Sequence, residues 1–201
     1  MRISSGFLKN RELVISKKSP VRPTSGKVRS QVFDMCQHRI EGARFLDLCA
    51  GTGAMGFEAI SRGAKSCTFI EKNNGVAERI RTNIERFGIA KQCSLLSIDA
   101  LQAISMLSKK EETFSFVYID PPYEHKELLN EIITAVDTLL PLEQDARVIV
   151  EARKKSFSPP ELSRLHLLSQ RTTGDTELFI FRFSSFHGGR GRAVCVQEYH
   201  P

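Results

Sequence analysis

From residue 44 onward, short apolar runs alternate with segments in which apolar side chains recur every three or four positions. Runs of the first kind suit strands covered on both faces and the second suit the covering helices, so the pattern predicts strand–helix units around a largely parallel sheet. Residues 44–48, 65–70, 93–98, 114–119 and 146–151 read as strands. Val76, Ile80, Ile84 and Phe87 mark one helix, stopped by Gly88, and Leu128, Leu129, Ile132, Ile133, Val136 and Leu140 mark another. Shorter helices are expected over 53–62, closed by Gly63, and over 100–107. After Pro159-Pro160 two strands follow, 164–170 and 177–183, joined through Gly174-Asp175 as an antiparallel pair. In front lie a β-like stretch, 2–8 and 12–16, and a helix carrying Val28, Val32, Cys36 and Ile40. The expected fold class is α/β: a seven-stranded, mostly parallel sheet with a C-terminal antiparallel strand pair and helices on both faces. Three parts are expected: a basic arm and helix over 1–40, the sheet domain over 41–183, and a flexible tail over 184–201.

Composition removes several classes. The longest apolar runs in the 201 residues are four long, against the roughly 20 needed to span a bilayer. The first residues lack the apolar stretch of a secretory signal, so a cytoplasmic protein without membrane contact is expected. Five cysteines, at 36, 49, 67, 93 and 195 with no Cys-x-x-Cys pair, suit neither a disulfide framework nor zinc, and no metal is expected. Charge is unevenly spread: residues 1–30 hold eight basic side chains and one acid, a local balance of +7 within a total of +6. A cationic end on a near-neutral body suits contact with a polyanion.

Candidate chemistry begins after the first central strand, at Asp47-Leu48-Cys49-Ala50-Gly51-Thr52-Gly53-Ala54-Met55-Gly56. Glycines here allow a tight turn and close backbone approach to a ligand beyond the carboxyl ends of the strands. Gly51, Gly53 and Gly56 satisfy G-x-G-x-x-G, which by itself serves dinucleotides and S-adenosylmethionine equally. Asp47, Glu71 and Asp99 end three successive strand regions and offer acceptors for an amino group, two ribose hydroxyls and an adenine amine. S-adenosylmethionine carries those groups and a sulfonium cation, without the pyrophosphate that a dinucleotide site must neutralise.

The fourth strand leads into Asp120-Pro121-Pro122-Tyr123. The lone pair of an exocyclic amine on a nucleobase is delocalised into the ring. A carboxylate and the next backbone carbonyl, fixed by prolines that lock φ and donate no N–H, can accept both amine protons and aim the lone pair at an electrophile. Tyr123 offers a face for the base to stack on.

The order Asp47-x-x-x-Gly51-x-Gly53, Glu71, Asp99, Asp120-Pro-Pro-Tyr123 with a terminal strand pair resembles the Rossmann-like class I S-adenosylmethionine-dependent amino-methyltransferases. Met1-Arg2-Ile3 with Gly6, Arg22-Pro23-Thr24, Val28-Arg29 with Phe33, the run 46–64 and Gly174-Asp175-Thr176 narrow the likeness to the RsmD family, over residues 1 to about 183. The resemblance implies methylation of a guanine N2 amine in 16S ribosomal RNA, on assembled or assembling 30S subunits; a monomer is expected. It implies that Asp47 and the loop residues Cys49, Ala50, Gly51, Thr52 and Gly53 hold the methionine end of the cofactor. Glu71 with Lys72 would take the ribose, and Asp99 with Ala100 the adenine. Asp120 and the Pro121 carbonyl would take the guanine amine, with Pro122 and Tyr123 completing the catalytic set. Arg2, Lys9, Arg11, Arg22, Thr24 and Arg29 would grip RNA. Cys49 and Thr52 stand where the family often has Phe and Ser, and Gly26 where it often has Asp.

Three other readings compete. A DNA amino-methyltransferase can use a similar Asp-Pro-Pro-Tyr, yet the connections here are short for a target-reading segment. An NAD-dependent oxidoreductase shares G-x-G-x-x-G, but no Tyr-x-x-x-Lys pair or supported hydride-handling histidine is found. A non-catalytic RNA-binding assembly protein would keep the basic arm and lose cofactor binding.

Overall fold

The structure, a computed structural model, describes residues 1–15, 25–36, 39–122 and 126–185. Of the positions singled out above, Ser16, Arg22, Pro23, Thr24, Tyr123 and tail residues 186–201 lie outside them.

The apolar runs become β1 (Arg44–Asp47), β2 (Ser66–Ile70), β3 (Cys93–Leu96), β4 (Phe114–Ile119) and β5 (Leu142–Arg153), all parallel to their neighbours in this set. β6 (Leu165–Thr173) and β7 (Thr176–Phe183) form the antiparallel hairpin, and β7 docks antiparallel on β5. The sheet order is β3-β2-β1-β4-β5-β7-β6. Strand order reverses between β1 and β4, so the chain leaves their carboxyl ends in opposite directions and opens a crevice there.

Among the described residues five α-helices cover the sheet: α1 (Gly26–Cys36), α2 (Ala54–Ser61), α3 (Asn74–Phe87), α4 (Ala100–Leu107) and α5 (Lys126–Leu139). One core joins α1, α2 and α3 to the sheet through Val32, Phe33, Phe57, Ile80, Phe45 and Phe69. The other joins α4 and α5 through Ile104, Ile132, Ile133, Val117 and Val148. Helix ends follow local chemistry. Asn73 accepts the Val76 N–H at the start of α3, and Asp99 accepts the Leu101 N–H at the start of α4, caps worth about 1 kcal/mol each. At the start of α1, which opens on Gly26, the Ser25 hydroxyl accepts the Val28 N–H.

Ile40, expected on the first helix, lies in a bend beyond the end of α1, and two elements differ most from expectation. β5 begins at Leu142 instead of 146: Leu142 pairs with Phe114 and Arg147 with Phe116. The extra residues between form a bulge in which Asp145 adopts φ +62°, and this interrupts the alternation that would reveal a strand. The β-like stretch at the N-terminus reduces to a single antiparallel bridge, Arg2 with Glu12. Gly6 and Asn10 both adopt positive φ, which turns the backbone out of any ladder.

That N-terminal loop is fastened to the body. Ile3, Leu8 and Leu13 are buried in the α1–α3 core. Ser4 donates its N–H and hydroxyl to the buried Glu58 carboxylate. Ser61 accepts Phe7 N–H on its carbonyl and Leu8 N–H on its hydroxyl, and that hydroxyl donates to the Ser5 carbonyl. Asn83 on α3 brackets Val14, accepting its N–H and donating to its carbonyl. A Cβ on Gly6 would stand 1.6 Å from the Ser61 carbonyl oxygen, so only glycine lets the loop lie against α2.

Candidate active site

The loop between β1 and α2 crosses the crevice. Leu48 N–H donates to the Tyr118 carbonyl on β4 and Ala50 N–H to the Ile70 carbonyl on β2. The loop is thus stitched to both neighbouring strands before it turns. The turn needs left-handed backbone at Gly51 and Gly53 (φ +53° and +74°), and a side chain on Gly53 would meet the Phe57 ring at 2.7 Å. Glu71, just beyond β2, holds the loop from the side: its carboxylate accepts the Gly51 N–H at 2.9 Å and the Asn73 N–H at 2.8 Å.

Asp47, the last residue of β1, is 1% exposed. Its carboxylate accepts the Gly56 N–H at 3.1 Å. Burial nevertheless pushes its pKa up to about 7, with the neighbouring Glu71 charge adding to the effect. Burial also raises Glu71, against the pull of the Asn73 and Gly51 N–H groups. The Cys49 thiol is pushed well above its ordinary range, first by burial and then by the negative charges of Asp120, Asp47, Glu71 and Asp99. One sulfur therefore senses the four acids that end β1, β2, β3 and β4, and the structure brings them together at the switch point.

Of the remaining predicted positions, Ala50 and Ala100 are buried, Cys49, Thr52, Asp99 and Asp120 are half-buried, and Lys72 is exposed. Pro121 is buried and Pro122 exposed directly after Asp120. Arg2, Lys9 and Arg11 stand exposed on the N-terminal loop. Arg29 departs from the expectation of a phosphate contact: it is 6% exposed, and its guanidinium donates to the Arg2 carbonyl at 3.1 Å. It holds the loop in place and does not present charge outward.

One pair escapes the sequence reading. The Tyr118 hydroxyl donates to the Glu151 carboxylate in a short hydrogen bond, both side chains being buried. Burial, then the charges of Glu151 and Asp120, keep this phenol protonated well above its ordinary range. The signal lies in the sequence: Glu151 closes the fifth predicted strand as Asp47 follows the core of the first.

The chemistry of this donor set fits S-adenosylmethionine. Clustered carboxylates favour a cation and hydroxyl or amine donors, and would repel a pyrophosphate. Asp47 already occupies the N–H of Gly56 in the first turn of α2, where a dinucleotide phosphate would dock. Among the described residues no group of three metal-capable side chains gathers, and no helix is long and apolar enough to cross a membrane.

A switch-point crevice with a glycine loop, on a sheet of this strand order, is the class I methyltransferase fold. The chain belongs to the family described as Conserved hypothetical protein 95, whose model matches residues 1–182, the RsmD family that its motifs resemble. The ribosomal RNA small subunit methyltransferase D of Haemophilus influenzae is 30% identical over 176 residues, covering 87% of this chain and 89% of that one. The solved structure of Escherichia coli yhhF aligns with TM-score 0.81 at 26% identity, covering 92% of this chain and 99% of that one. An RNA methyltransferase from Salinibacter ruber, solved with S-adenosyl-L-homocysteine, shares the fold at TM-score 0.63 and 12% identity, covering 84% of this chain and 98% of that one.

Proposed function

We propose that this protein transfers a methyl group from S-adenosylmethionine to the N2 amine of a guanine in 16S ribosomal RNA, acting as a monomer on assembled or assembling small subunits. The observation that carries the reading is the placing of Asp47, Glu71, Asp99 and Asp120 at or just beyond the ends of β1, β2, β3 and β4 around the glycine loop, where Asp47 accepts the Gly56 N–H and Glu71 the Gly51 N–H, in a family with ribosomal RNA methyltransferase relatives. When bound, S-adenosylmethionine supplies a methyl group activated by its sulfonium charge. The Asp47 region and the loop through Gly53 receive its methionine end, Glu71 its ribose and Asp99 with Ala100 its adenine. Asp120 and the Pro121 carbonyl accept hydrogen bonds from the two N–H groups of the guanine amine and direct its lone pair along the line of transfer. The carbon–sulfur bond breaks as the nitrogen–carbon bond forms, and the proton that the methylated nitrogen sheds leaves through the Asp120 carboxylate to solvent. Alignment of nitrogen, methyl carbon and sulfur then supplies most of the acceleration. The guanine is splayed from its stack to reach the crevice, and Tyr123 provides a stacking face. Arg2, Lys9, Arg11, Arg22 and Thr24 hold phosphates.

The test is transfer of labelled methyl to unmodified small subunits, free ribosomal RNA and DNA in parallel, followed by nucleoside identification. N2-methylguanosine from subunits is expected, and a different product would redirect the assignment. Asp120→Ala should slow transfer about 100-fold or more while cofactor affinity stays within a few-fold; a rate near wild type would remove Asp120 from the amine.

A further inference from the structure

Phe7 has no place in the chemistry above, yet its setting is specific. It is 62% exposed, the highest value among the large apolar side chains that stand in solvent in the described residues. Its backbone is not loose. Phe7 N–H donates to the Ser61 carbonyl at 2.9 Å, Leu8 N–H to the Ser61 hydroxyl at 2.9 Å, and Gly6 lies directly on the end of α2. Two further turns, Lys9 N–H to the Gly6 carbonyl and Arg11 N–H to the Leu8 carbonyl, close the loop tip. Next to Phe7 in sequence Leu8 is buried, whereas Lys9, Arg11 and Arg2 are exposed on the same loop. The fold thus commits several hydrogen bonds to the backbone that presents this aromatic ring to solvent, on a loop that also exposes three cations.

A flat ring set among positive charges is the device by which proteins hold unpaired nucleic-acid bases: the cations take phosphates and the ring takes a base face. We infer that Phe7 is a stacking platform for an unpaired base of the RNA substrate, at a site separate from the one that receives the target guanine. The loop itself sets the spacing. Met1 sulfur lies 3.9 Å from the Thr52 hydroxyl at the cofactor loop, Ser4 reaches Glu58 and Phe7 reaches Ser61. The loop therefore runs the length of the eight-residue α2, about 12 Å, and the stacked base lies that far along the helix from the cofactor loop. It is a neighbour of the methylated guanine in space and not that guanine.

This inference rests on the RNA reading proposed above, and the experiment separates the two. With small subunits as substrate, Phe7→Ala should raise KM roughly 5- to 100-fold, leaving kcat and Tm nearly unchanged because the residue stands mostly in solvent. p-Benzoylphenylalanine placed at position 7 and irradiated on small subunits should give an adduct that nuclease trims and protease does not. Unchanged KM, or an adduct made to a ribosomal protein or to a second copy of this chain, overturns the inference while the wild-type protein still methylates RNA. Failure of the wild type to methylate RNA at all refutes the functional reading, and this inference with it.

Discussion

Asp47 is an ion held where an ion is costly. A buried carboxylate whose pKa lies near 7 in the folded protein and near 3.9 when unfolded binds its proton more tightly when folded. Its contribution to stability is therefore present at low pH and is lost as pH rises from about 4 through 7. Asp47→Asn keeps an acceptor for the Gly56 N–H and removes the charge. The variant should melt higher than wild type at pH 8 and equal to it near pH 4, with weaker cofactor binding throughout. Melting curves across that range check it, and a deficit for the variant at pH 8 would contradict a desolvated charge as the source of the raised pKa. The same residue shows what a sequence displays and what it hides. Asp47, Glu71, Asp99 and Asp120 are legible because each follows a run of apolar residues, so position along a strand places them at one edge. Arg29 is misread because its burial under the N-terminal loop depends on a contact 27 positions away, beyond any local pattern.

At the level of elements, the helices and the central strands announce themselves through period and punctuation: Gly88 takes φ +68° at the end of α3, as a helix-stopping glycine should. The N-terminal loop does not, since what orders it is remote. Glu58 and Ser61 lie on an otherwise apolar α2, and Asn83 lies on α3, all three buried. Each is a buried polar group that bonds the loop, and without the loop Ser61 and Asn83 would lose partners that offset the cost of their burial. Gly6→Ala should therefore cost about 3 kcal/mol, since it combines a strained φ of +79° with a Cβ only 1.6 Å from the Ser61 carbonyl oxygen. Chemical denaturation measures the loss, and hydrogen exchange should show it concentrated in residues 1–15; a variant as stable as wild type would mean that the loop is not held where it is seen.

Across the whole molecule, charge is segregated more sharply than composition alone conveys. The crevice gathers carboxylates around Cys49, while Arg2, Lys9 and Arg11 stand in solvent on a loop that begins beside it. One region suits a cationic cofactor and the other a polyanion, so the two ligands are sorted by sign. Binding of RNA should weaken steeply with salt, and Arg11→Ala should flatten the slope of log affinity against log salt by about 0.7 with little change in cofactor affinity. An unaltered slope would take Arg11 out of the phosphate contacts. The contact between Met1 and Thr52 has a practical side for whoever handles this protein. Any peptide fused ahead of Met1 starts beside the glycine loop, so an affinity tag on that end is placed to crowd it. Purification handles belong elsewhere on the chain, and a preparation tagged in front and found inert should be cleaved before it is judged.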